Sequence, residues 1–211
     1  MSQPIVPKLT QAQMDESSRQ GFWRHAIGYG LQYYVSGRFA AASGFTPVSA
    51  NILHHAAELL LKACLAYDDS LDTIRKYGAR GSYGHSLVRP WEELKRRKPH
   101  LAAVELDAVV SGLDKFEDIR YPDTLIKHGA TITIDIFDVD SPLTGDRIDP
   151  ATRYALNLPR VDRLMGVLFE AANANPPGFL PEIEGGAKRA RLYYPRIEMS
   201  LFGRAPSDEE T

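Results

Sequence analysis

The chain has one cysteine among its 211 residues, Cys64, so an internal disulfide is excluded and the pattern fits a reducing cytoplasm. No run of about 18 apolar residues occurs, so no segment is expected to span a membrane. The opening stretch, MSQPIVPKLTQAQMDESS, has neither the apolar core of a signal peptide nor the arginine-rich character of a transit peptide, and no targeting segment is expected there. There is no HExxH, CxxC, GxSxG or phosphate-loop signature. Net charge is only −2, so no whole-molecule field draws the chain to nucleic acid or anionic lipid. The basic residues that exist are grouped: Arg75, Lys76 and Arg80, then KRRK at 95–98, then Lys188, Arg189, Arg191 and Arg196. Solvated faces account for such groups, and KRRK also suits the negative end of a helix dipole.

Against these absences stands one long helical stretch, PVSANILHHAAELLLKACLAY, from Pro47 to Tyr67. Alanine and leucine dominate it, and no glycine or proline follows Pro47, which suits a first turn with Thr46 as the cap. Ile52, Ala56, Leu59, Leu60 and Ala63 recur at helical spacing and make an apolar face. His54, Glu58 and Lys62 follow each other at four-residue steps and form a polar stripe beside it. If that stripe is buried, Glu58 needs a cationic partner, and Arg120 is the expected one. His54 and Glu58 alone do not make a metal site, and no metal or cofactor is expected.

Around this stretch the chain reads as helices with short links. Thr10 and Gln13 form a capping box, and the region to about Ser43 is helical, with Phe22, Ala26, Tyr29, Tyr33 and Phe39 as core positions. Its glycines suggest a break into two helices; the seven-residue spacing of Gly30, Gly37 and Gly44 suggests a groove for another helix or a dimer seam. The glycines at 78, 81 and 84 read as a connector. Helices follow from about Ser86 to Arg97, with Leu87, Trp91 and Leu94 inward, and from Pro99 to about Ile119, with Leu101, Val104, Ala108, Gly112 and Phe116 on its face. TITIDIFDVD (131–140) alternates as a half-buried strand, with RLYYPRIEMSLF near the end as its expected partner. A last helical region opens at Asp149-Pro150, is either restarted or kinked at Pro159, and carries Val161, Leu164, Leu168 and Ala172.

The expected fold class is therefore mainly α, an antiparallel four- to five-helix bundle with a small β-strand or hairpin appendage. The expected division is a helical core over 1–127, a β appendage and loop over 128–150, an additional packing helix over 151–175, and a loop-rich tail over 176–211.

The order of four segments carries a resemblance. YYVSGRFAAA (33–42) precedes Pro47 and ILHHAAELLLKACLA (52–66); GHSL (84–87) opens a helix; FEDIRYPD (116–123) closes another. Together they resemble the HEPN superfamily of helical domains, of the RYP type, over roughly residues 20–125. The resemblance implies a homodimer and a module that binds RNA, a nucleotide or a partner protein such as a nucleotidyltransferase. Its alternative is a metal-independent endoribonuclease of toxin–antitoxin or defence type; a purely structural helical protein is the third reading. In active members an arginine is followed four to six residues later by a histidine. Arg120 matches the arginine; His128 follows after seven intervening residues, with Pro122 between them. The implied catalytic set is Arg120 and His128, with His85 as a second acid–base group. Glu58, Lys62, His54 and Tyr121 make the implied binding set.

Overall fold

The computed structural model describes residues 10–69, 84–101, 104–117, 131–135 and 153–176. Helix α1 runs without interruption from Gln11 to Ala42. It begins as the sequence predicts: the Thr10 hydroxyl accepts from the Gln13 amide at 3.3 Å, and the Gln13 side chain accepts from the Thr10 amide at 2.9 Å. It does not break at its glycines, because two of them face the next helix. A Cβ on Gly30 would lie 2.9 Å from Leu60, and one on Gly37 would lie 2.8 Å from Leu53. Close approach of the two backbones thus replaces the intrinsic helix preference that glycine lacks. The groove is filled from within the chain.

Gly44, at φ +81°, turns the chain after α1, with the Phe45 amide returned to Ala40 O and the Gly44 amide to Ala41 O. Helix α2, Thr46–Asp68, then runs back along α1 as an antiparallel hairpin. Phe45, not Thr46, occupies its cap position, and no side chain caps it; Pro47 sits in the first turn as expected. Ala56, Leu60 and Ala63 are buried, whereas Ile52 and Leu59 are only partly so.

Helix α3, Val88–Arg97, buries Trp91 and Leu94, with Leu87 buried just before it. The region expected as one helix from Pro99 is a 3-10 turn, Pro99–Leu101, followed by helix α4, Val104–Lys115. The buried residues of α4 are Leu106, Val109, Val110 and Leu113, with Phe116 just beyond, while Ala108 is exposed. The KRRK run is spent on the fold. Lys95 meets Glu92 and Asp107, Arg96 and Arg97 both meet Glu93, Arg97 reaches Asp69, and Lys98 caps Ala171 O of the last helix at 2.7 Å.

Strand β1, Thr131–Asp135, pairs in parallel with β2, Arg153–Asn157, so that Ile132 lies opposite Tyr154 and Ile134 opposite Leu156. Residues 153–157, expected as helix, are extended because Tyr154 and Leu156 alternate inward with Ala155 outward. Tyr154 packs on Phe116 with ring centroids 5.5 Å apart, and Ala155 O lies 3.5 Å from where a Gly112 Cβ would be. The small sheet therefore belongs to the core. The segment expected to pair with β1 lies outside the described residues.

Asn157 ends β2 and caps helix α5, Leu158–Ala171, by accepting from the Arg160 amide at 3.0 Å. Val161, Leu164, Leu168 and Ala172 are buried as predicted. Helix α5 is stitched to the hairpin by polar contacts. Asp162 accepts from Arg38 and, at 2.6 Å, from the Tyr34 hydroxyl; Cys64 Sγ donates to Leu168 O; Trp23 Nε1 donates to Ala172 O. Among the described residues the molecule is a bundle of five helices with a two-stranded sheet, and no helix is long and apolar enough to cross a membrane.

Candidate functional site

Glu58 points from α2 into the interior, with only 7% of its side chain exposed. A carboxylate there needs donors on both oxygens, and it has them. Lys62, one turn further along α2, donates to Oε1. His55, one turn earlier, places Nδ1 3.3 Å from Oε2. His85 approaches from across the bundle, with Nδ1 3.2 Å from Oε1 and 3.4 Å from Oε2. Burial pushes the Glu58 carboxyl up, but the hydrogen bonds from His55 and Lys62, the Lys62 charge and the His85 contact outweigh it; its pKa is held below the ordinary 4.5, at about 2.

The GHSL turn that delivers His85 is fixed by its backbone. Gly84, at φ +55°, adopts the left-handed conformation that glycine takes without strain, and its carbonyl accepts from Lys62 Nζ at 3.3 Å. The Leu87 amide donates to Asp114 Oδ1 of α4 at 2.6 Å. Beneath the turn, buried His54 places Nε2 3.1 Å from the His85 carbonyl and Nδ1 3.0 Å from Leu113 O. His54 thus lies between the turn and the end of α4, with each ring nitrogen within hydrogen-bonding distance of a backbone carbonyl.

The predicted residues therefore divide. Glu58, Lys62, His54 and His85 come together around one turn. Arg120, Tyr121 and His128 lie outside the described residues, as does the expected contact between Glu58 and Arg120. Glu117, the last described residue of that segment, sets its carboxylate 3.7 Å from His54 Nε2.

Comparison adds no relative. No protein-family model, curated protein or solved structure matches the chain.

Two members of the cluster were not singled out from sequence. His55 is turned about 100° from His54 around the helix, and that turn brings it to Glu58, three residues on. The signal was the three-residue spacing itself. Asp114 carried no signal, because its role depends on where the GHSL turn docks. The His55 and His85 side chains are 30% and 39% exposed, so the cluster has a buried carboxylate and a surface of imidazole. With the ring proton on Nδ1 and donated to Glu58, the other ring nitrogen is left as an acceptor. Such a ring can bind a hydroxyl or take a proton from one. Among the described residues no group of three histidine, cysteine or carboxylate side chains is arranged to hold a metal. Cys64 is buried and burial pushes its thiol up, away from a reactive thiolate.

Proposed function

We propose that this chain is a HEPN-like binding module that takes RNA or a nucleotide without turning it over. The observation that carries the reading is the buried Glu58 with Lys62, His55 and His85 gathered on it. A cluster so placed orients two part-exposed imidazoles towards a ligand while keeping its own carboxylate out of reach. Hydroxyl and phosphate oxygens are the groups such rings meet in RNA. The reading is of a cytoplasmic homodimer, with a protein partner such as a nucleotidyltransferase as its further expectation.

A second reading, metal-independent RNA cleavage, is favoured by one contact. His85 donates to Glu58 through Nδ1, and a carboxylate that fixes an imidazole in this way prepares the opposite nitrogen as a general base. On this reading His85 takes the proton of a 2′-hydroxyl, whose oxygen attacks the adjacent phosphorus to form a 2′,3′-cyclic phosphate. The P–O5′ bond breaks, the 5′-oxygen is protonated by solvent, and Arg120 stabilises the phosphate charge that develops.

Fluorescence anisotropy with a short unstructured RNA tests binding, with log affinity expected to fall as log salt rises; a flat response sinks the reading. Incubation with the same RNA in EDTA separates the two alternatives. Intact RNA supports the binding module, and cleavage that is lost in both His85→Ala and Glu58→Gln replaces it with the nuclease.

A further inference from the structure

Beside the Glu58 cluster lies a face that the cluster does not use. Tyr29 and Tyr33, expected in the core, stand 53% and 43% exposed on the outer side of α1. The inward positions are Ile27, Gly30, Leu31 and Tyr34, and a one-residue step along a helix turns a side chain by about 100°. The two tyrosines, Gln32, Ser36 and Leu59 of α2 line a 530 Å³ cavity, within the size range of small-ligand sites. At one end the His25 ring lies 6.1 Å from Tyr29 at 33°; at the other, the His55 ring lies 5.9 Å from Tyr33 at 46°. Flat rings thus follow one another along the hairpin, and the last of them is already a partner of Glu58.

We propose that this face seats unpaired bases of a single-stranded nucleic acid, stacked on Tyr29 and Tyr33, and leads the strand to His55 and His85. The proposal rests on the RNA-binding reading and names the surface that reading lacks. The ring faces supply sequence-tolerant stacking. The Gln32 amide both donates and accepts, as a base edge does, and Ser36 adds a hydroxyl.

Charge points the same way. None of the chain's 27 carboxylates falls between Ser17 and Ala57, so all of α1 from its second turn, and the first half of α2, offers a polyanion no repulsion. Glu58, the next carboxylate, is buried under its partners. The basic residues of the stretch are Arg19, Arg24 and Arg38. Arg19 is held by Glu16 and by the Ala66 and Tyr67 carbonyls, and Arg38 is held by Asp162, which leaves Arg24 exposed. Stacking, with few phosphate contacts, is what such a face provides. A protein partner fits less well here, because the large purely apolar exposed residues lie elsewhere: Phe39, Phe45 and Val48 at the turn between the two helices, and Met14 near the start of α1.

The test uses the full chain, a fluorescein-labelled unstructured RNA decamer, and a DNA decamer of matching sequence. Tyr29→Leu/Tyr33→Leu keeps apolar bulk at exposed positions and removes the ring faces; circular dichroism is expected to show the same fold. The double variant is expected to bind both strands at least about tenfold more weakly, with the slope of log affinity against log salt unchanged. Phe45→Ala, off the ring ladder, is expected to bind as wild type. Wild-type binding with no loss in the double variant overturns the proposal and leaves the RNA-binding reading standing. Failure of the wild type to bind either strand removes both. A loss confined to RNA, or a changed sedimentation mass with unchanged nucleic-acid affinity, overturns stacking in favour of 2′-hydroxyl readout or a protein interface.

Discussion

At Glu58 a negative charge is kept inside an apolar bundle, and its pKa carries a stability consequence of definite sign. The folded carboxyl, at about 2, binds its proton less readily than the unfolded one, at the ordinary 4.5. Between those values the unfolded chain takes up the extra proton, so the stabilisation is complete above about pH 5 and is lost as pH falls towards 2. Urea unfolding across this window should show wild type losing of the order of 2 kcal/mol that Glu58→Gln does not lose. Parallel pH profiles for the two proteins would contradict it. The Arg38–Asp162 pair follows the rule for buried ion pairs, that removing one partner strands the other. Asp162→Leu alone is expected to cost about 3–5 kcal/mol, and Arg38→Met/Asp162→Leu together much less. A double variant as unstable as the sum of its parts would show that the pair itself is not what holds α1 to α5.

At the scale of the element, α1 and α2 succeed as a hairpin because of where glycine falls. In Gly30→Ala and Gly37→Ala, alanine gains about 1 kcal/mol of helix propensity but must displace the fully buried Leu60 or Leu53. Thermal unfolding should show a net loss of about 1–3 kcal/mol for each. Gly21→Ala meets nothing within 4 Å and should stabilise by about 0.5–1 kcal/mol. A stabilised Gly30→Ala would mean the helices do not meet there. These two helices also show what sequence reveals. Their existence and approximate ends follow from period, capping box and Pro47, which are local. The phase of α1 does not, since Tyr29 and Tyr34 are alike in type and only the neighbouring helix decides which is inward. Residues 153–157 mislead for a related reason: a five-residue strand between two prolines is too short to show its alternation against helical neighbours. Its partner β1 then supplies the hydrogen bonds that make it extended.

For the whole molecule, polar contacts join the burial of Leu87 in setting how the GHSL turn meets the bundle. Lys62, His54, Glu58 and Asp114 each hold a different atom of that turn, and they come from two helices. Glu58, Lys62 and His54 were legible because they share one helix face, where spacing fixes position. His85 was legible only as a residue type at a helix start, and Asp114 not at all, since both depend on packing between distant segments. One buried carboxylate thus organises two imidazoles at the surface. The most direct measurement is the ¹⁵N chemical shifts of the histidine ring nitrogens in wild type and Glu58→Gln. His55 and His85 are expected to hold a proton on Nδ1 in wild type and to lose that preference in the variant, while His54, set between backbone carbonyls, keeps its pattern. Unchanged His55 and His85 ring nitrogens in Glu58→Gln would contradict it.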